Sequence, residues 1–174
     1  MKHHLIFDTH HLLHRMFFAI TDDSDPETIS AMSIHRTLHY INKMYKKYKP
    51  NNVVAAFDNS SWRKLHTISP SAITYKKYKG NRRKDLTEEK IIRYKVFDDH
   101  VLKFKNMLKE KTGILVLDGA LLEADDLISG FIDKYQDHKH TLISGDGDFL
   151  QLLRNPNVTI FDPIPEKDKS LEEF

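Results

Sequence analysis

The chain has 174 residues, 40% hydrophobic and 30% charged, with few glycines and prolines and no cysteine. That length suits a single domain, residues 1–174, with a real core; the composition excludes a disordered tail, and the lack of cysteine excludes disulfides and thiolate zinc sites. No apolar run approaches membrane-spanning length, and Met1 leads straight into His3-His4-Leu5-Ile6-Phe7, too short a stretch for a signal peptide, so an intracellular, cytoplasmic protein is expected.

In chain order, His3 to Phe7 reads as a short buried strand with Asp8 at its C-terminal end. A helix carrying Leu12, Leu13, Met16 and Phe17 should follow. Asp22 to Glu27, with Pro26, reads as a polar loop, and the spacing of Ile34, Leu38, Ile41, Tyr45 and Tyr48 predicts a helix from about Ser30 to Tyr48, ended by Pro50. Val53 to Phe57 is a second buried strand, again followed by an aspartate, Asp58. Residues 59–84 show little apolar periodicity and read as a mobile loop or an irregular helical segment. Thr87 can cap a helix to about Lys111 that turns Phe97, Val101, Phe104 and Leu108 inward, with Gly113 as its stop. Ile114 to Leu117 is a third strand. A helix from Glu123 to Tyr135 has Leu127, Ile128, Phe131 and Tyr135 facing the core. Thr141 to Ser144 is a fourth strand, followed by a short helix through Leu153 and a fifth strand, Val158 to Phe161. Apolar strands alternating with amphipathic helices specify an α/β fold, a mainly parallel sheet covered by helices on both faces.

The net charge of +2 conceals a segregation of sign. Glu123, Asp125 and Asp126 form one acidic run, and Asp146 and Asp148 a second. Six of the ten residues from Tyr75 to Lys84 are cationic, which suits a polyanion held by the bases while metals act on it. Ligands of parallel sheets bind beyond the carboxyl ends of the strands, and Asp8, Asp58, Glu123 and Asp146 all fall just past predicted strand ends. Carboxylates crowded against a core repel one another unless a cation compensates them. With Asp125, Asp126 and Asp148 added, up to seven carboxylates could line one cavity. Oxygen ligands at this density select Mg²⁺ or Mn²⁺, and two ions about 4 Å apart fit phosphodiester hydrolysis. Asp126 could equally cap a helix or orient Lys79, Asp148 could bind through water, and Glu123 and Asp125 could owe their positions to a helix N-terminus. His10/His14 and His35/His39 have the four-residue spacing of helical metal pairs but lack a third ligand, so the histidines are assigned to the surface or to packing.

Phe7-Asp8, Phe57-Asp58-Asn59, Tyr78-Lys79-Gly80-Asn81-Arg82, Glu123-Ala124-Asp125-Asp126 and Ser144-Gly145-Asp146-Gly147-Asp148-Phe149 resemble, in order and spacing, the signature of the structure-specific 5′ nucleases, the flap endonuclease and 5′–3′ exonuclease superfamily. Trp62-Arg63, and Gln151-Leu152 to Pro156-Asn157-Val158, look most like its T-even phage ribonuclease H branch. The resemblance covers nearly the whole chain. It implies a PIN-like three-layer sandwich and a Mg²⁺-dependent enzyme that removes RNA primers or flaps from 5′ ends of DNA and RNA–DNA hybrids during replication. It implies that Asp8, Asp58, Glu123, Asp125, Asp146 and Asp148 serve the metals. Residues 59–86 become a basic arch or gateway, in which Lys79 and Arg82 contact the scissile phosphate beside Arg63, Lys76, Lys77, Tyr78 and Arg83. Family members continue into a helix-hairpin-helix segment, whereas this sequence stops at Ser170-Leu171-Glu172-Glu173-Phe174, which reads like a capping box opening a helix. A second polypeptide supplying the missing part is therefore one expectation. A compact PIN-type single-strand ribonuclease and a non-catalytic nucleic-acid-binding subunit are the alternative readings.

Overall fold

The computed structural model describes residues 1–20, 25–66 and 87–170. Six strands form one sheet in the order β3-β2-β1-β4-β5-β6: β1 His3–Asp8, β2 Asn52–Ala56, β3 Leu115–Leu117, β4 Lys139–Ile143, β5 Val158–Asp162 and β6 Lys167–Asp168. The first five are parallel, and β6 returns antiparallel on the β5 edge. The helices are α1 Thr9–Phe18, α2 Pro26–Tyr48, α3 Arg63–His66, α4 Glu88–Lys111 and α5 Ala124–Lys134, with a 3₁₀ segment at Gly147–Arg154.

Because successive strand residues point to opposite faces, the sheet divides the apolar side chains between two cores. Leu5, Phe7, Ala55, Phe57, Ile143 and Phe161 face α1, α2 and α4, where Leu13, Phe17, Met44, Phe97, Phe104 and Leu108 meet them. Ile6, Val54, Ala56, Leu142 and Ile160 face the other way, onto Ala124, Ile128, Phe131 and Ile132 of α5 and Phe149 of the 3₁₀ segment. The result is a helix–sheet–helix sandwich, as the alternation of elements predicts.

Several boundaries differ from the sequence reading. Helix α2 begins at Pro26, not near Ser30, because Asp25 caps it by accepting hydrogen bonds from the Glu27 and Thr28 amides at 3.0 Å and proline suits a first helical position. Its buried stripe is also rotated: Ile29, Ser33, Thr37, Tyr40, Ile41 and Met44 are buried, while Tyr45 is 48% exposed. The small hydroxyls are accepted inside because His100 of α4 bridges Ser30 and Ser33 at 2.8 and 3.1 Å. Helix α4 starts at the Thr87 cap and buries Phe97, Val101, Phe104 and Leu108 as expected. Its stop is different: Thr112 is extended and its hydroxyl donates to the Leu108 carbonyl at 2.6 Å, and Gly113 is not left-handed. Of residues 59–84, Arg63–His66 forms a helical turn and 67–84 lie outside the described residues. The capping box at Ser170 and Glu173 cannot be placed for the same reason, since 171–174 are not described. The β6 hairpin has no apolar pattern to announce it. Among the described residues no helix is long and apolar enough to cross a membrane.

The connections set the position of a crevice. The chain runs from β1 outward through β2 to β3, then returns to place β4 on the other side of β1. The order therefore reverses between β1 and β4, and the carboxyl ends of those two strands are where an open parallel sheet leaves room for a ligand.

Candidate metal centre

Asp8 closes β1 opposite Ala56 of β2 and caps α1, so it sits at the switch point with only 7% of its surface exposed. One of its oxygens accepts from the His11 amide at 3.4 Å and the other from the Ser144 hydroxyl at 3.2 Å. Ser144 Oγ in turn accepts from the Asp146 amide at 3.1 Å, which joins the ends of β1 and β4 through one side chain. Asp146 caps the 3₁₀ segment by accepting from the Asp148 amide at 3.0 Å. Both Asp146 and Asp148 are exposed.

On the other flank of β1, Phe57 donates to the Leu117 carbonyl and carries the chain past β2 to Asp58. Asp58 Oδ1 accepts from the Ala124 amide at 2.7 Å, tying the end of β2 to the first turn of α5. Bonds from the Asn59 amide to Leu122 O and from the Trp62 amide to Leu121 O hold the incoming loop, in which Leu121 has φ 63°. Glu123 is the N-cap of α5, 6% exposed, with Asp125 and Asp126 in the first turn. Carboxylate oxygens of these three lie within 4.8 Å of one another. Asp126 caps as the sequence allowed: its Oδ2 accepts from the Glu123 amide at 3.2 Å. Arg63 reaches into the same group, donating to Glu123 Oε2 at 2.8 Å and to Asp126 Oδ2 and Oδ1 at 3.0 and 2.7 Å.

Burial pushes the Asp125 carboxyl above its ordinary range; the Asp126 amide opposes that rise, the Asp126 and Glu123 charges add to it and Arg63 counters it. One guanidinium beside three carboxylates leaves the group short of positive charge. His11, its Nδ1 3.6 Å from Asp8, is raised by its hydrogen bond to Asp8 against the effect of burial, with the Asp8 and Asp146 charges adding to the rise.

The sheet thus gathers the acids in two groups: Asp8, Asp146 and Asp148 around the ends of β1 and β4, and Asp58, Glu123, Asp125 and Asp126 around the end of β2 and the start of α5. Since β2, β1 and β4 are neighbours and adjacent strands lie about 4.8 Å apart, both groups share one rim. Lys76, Lys77, Tyr78, Lys79, Arg82 and Arg83 lie outside the described residues. The histidine pairs behave as packing and surface groups, His10 and His14 edge-on to Phe97 and His35 stacked with His39.

Four rim residues escaped sequence reasoning: His11, Ser144, Asp162 and Lys169. Asp162 ends β5 as Asp8 ends β1, so the same signal was available. The Lys169 ammonium, its side chain 7% exposed, lies 3.7 Å from Asp162 and donates to the Gly145 and Asp146 carbonyls at 2.8 and 3.2 Å, supporting the acidic loop from below. Only the β6 hairpin brings it there, so no local pattern marks it.

Comparison with known proteins agrees with this geometry. The ribonuclease H of enterobacteria phage T4 is 31% identical over 86% of this chain and 49% of its own length. The flap endonuclease Xni of Pseudoalteromonas translucida is 28% identical over 93% of this chain and 58% of its own. A crystal structure of the bacteriophage T5 flap endonuclease with DNA and metal ions superposes on 99% of this chain with a TM-score of 0.73 at 20% identity, using 59% of that chain, a likeness of fold. The chain therefore spans about half to three-fifths of the length of these proteins. Residues 3–174 match the family described as 5′-3′ exonuclease, N-terminal resolvase-like domain, and the chain belongs to that family.

Proposed function

We propose that the chain is the catalytic domain of a divalent-metal-dependent 5′ nuclease that hydrolyses phosphodiester bonds at 5′ ends or flaps of DNA and RNA–DNA hybrids, acting inside the cell. The observation that carries this reading is the acidic rim, in which carboxylates from four elements meet at the switch point of the sheet. Its donors are all oxygen and its net charge is uncompensated at Asp125, which fits a hard divalent cation better than a soft one. Asp8, Asp58, Glu123, Asp125, Asp146 and Asp148 would hold Mg²⁺ or Mn²⁺, two ions in the fullest reading, either directly or through water. Bound there, such ions supply a water nucleophile and stabilise the leaving oxygen.

The chain's own groups do the positioning. Ser144 holds Asp8 and the Asp146 loop in register across β1 and β4. Asp58 fixes the first turn of α5, so that Asp125 projects from a rigid helix end. Lys79 and Arg82 contact the scissile phosphate, with Lys76, Lys77, Tyr78 and Arg83 gripping the strand. Support for that assignment is the concentration of cations in the sequence and the pairing of cation with phosphate charge.

Cleavage of a 5′-labelled flap duplex with Mg²⁺ or Mn²⁺, wild type beside Asp146→Asn and Asp8→Asn, tests the proposal. Cutting near the junction that falls at least a hundredfold in both variants, with folding intact, is the expected result. Variants that cut as well as wild type would sink the metal assignment, and absence of cutting by wild type would sink the proposed activity of this chain.

A further inference from the structure

Arg63 lies within the acidic rim, 29% exposed at its side chain, with its guanidinium 5.2 Å from the Trp62 ring centre. It engages both oxygens of Asp126 in a two-pronged pair and one oxygen of Glu123. Asp126 Oδ2 also receives the Glu123 amide, so this carboxylate is committed to cation and backbone together. A planar fork matched to a carboxylate in this way fixes direction as well as charge.

We infer that Arg63 is a positioning residue and a built-in counter-cation: it removes Asp126 from the metal-binding set and leaves Asp125 and the second oxygen of Glu123 as the face of α5 open to a divalent ion. This rests on the proposed metal-dependent reading and refines it. Two consequences follow from charge alone. The Arg63 charge and a metal charge repel each other across the same carboxylates, so removing Arg63 strengthens metal binding. Three carboxylates within 4.8 Å then repel without relief when no metal is present, so the metal-free protein loses stability. A residue whose work is to grip a phosphate shows neither effect.

The test is Mn²⁺ titration by calorimetry without DNA, with thermal melting in EDTA and in Mn²⁺, on wild type, Arg63→Gln, Arg63→Lys and the double variant Arg63→Gln/Asp126→Asn. Arg63→Gln melts lower in EDTA and binds Mn²⁺ about tenfold tighter, the size expected when a unit charge about 5 Å from a divalent ion is removed in a watery setting. Arg63→Lys keeps the charge but not the fork, and falls between the two. In the double variant the unpaired acid is gone, so melting in EDTA recovers and Mn²⁺ affinity returns close to the wild-type value. If the double variant instead binds Mn²⁺ much more weakly than wild type, Asp126 is a ligand and the inference is overturned. It is equally overturned if Arg63→Gln leaves Mn²⁺ affinity unchanged while lowering DNA affinity and its salt dependence, the behaviour of a phosphate contact. Wild-type protein that takes up no Mn²⁺ defeats the metal reading itself, an outcome distinct from unaltered affinity in the variant.

Discussion

Lys169→Met removes one ammonium and keeps most of the side-chain volume. In the structure that ammonium is 3.7 Å from Asp162 and donates to the Gly145 and Asp146 carbonyls, with the Lys169 and Asp162 side chains 7% and 14% exposed. Taking one partner from a buried pair costs about 3–5 kcal/mol, because the other charge stays buried without compensation. Asp162 keeps a hydrogen bond from the Ile164 amide at 2.9 Å and some contact with water, so the low end, about 3 kcal/mol, is the expected loss. For a chain of 174 residues that is a fall in melting temperature of roughly 6–12 °C. Urea unfolding in EDTA measures it directly. Asp162→Asn in the Lys169→Met background should return part of the loss, since the stranded charge is removed and the remaining amide oxygen still accepts from Ile164. The Asp146 loop also loses its support, so half-maximal cleavage should need several-fold more metal. A loss under about 1 kcal/mol, or no recovery in the double variant, would refute the view that this pair braces the acidic loop.

Two further predictions test the packing. The His4 and His100 imidazoles are both pushed down to about 4: for His4 by burial first, then by His140, His138, Lys2 and His3, and for His100 by burial and then Lys103. The unfolded chain therefore binds these protons near pH 6.5 while the folded one refuses them until about pH 4, so stability is full above 6.5 and drains away as pH falls through that window. Urea midpoints measured from pH 7.5 to 4 should decline, and His100→Gln, which cannot titrate, should flatten the slope; an unchanged slope contradicts the burial argument. Gly113→Ala should be neutral or stabilising by up to about 1 kcal/mol, because the backbone is not left-handed there and nothing lies within 4 Å of an added Cβ. A clear destabilisation would restore Gly113 as an obligatory helix stop.

The sequence alone determined the order of strands and helices, the inward stripe of α4 and the placement of acids at strand ends, because apolar period and strand-end position are local quantities. It pointed to the acidic rim through Asp8, Asp58, Glu123 and Asp146 for the same reason. The partners of those acids were decided by tertiary structure. Asp126 could be read as ligand, cap or lysine partner, and only the approach of α3 to α5, 63 residues on from Asp126 to Arg63 in sequence separation, shows it capping Glu123 while paired with Arg63. Ser144 joins two strands 136 residues apart, and Lys169 reaches the acidic loop through a two-stranded hairpin too short to carry a pattern. The helix starts and stops were legible where a side chain caps its own turn, as at Thr87, and misread where the signal was ambiguous, as at Pro26 and Gly113. A local pattern tells which face of an element is buried; which charge lies opposite is fixed only when the sheet brings distant loops to one edge.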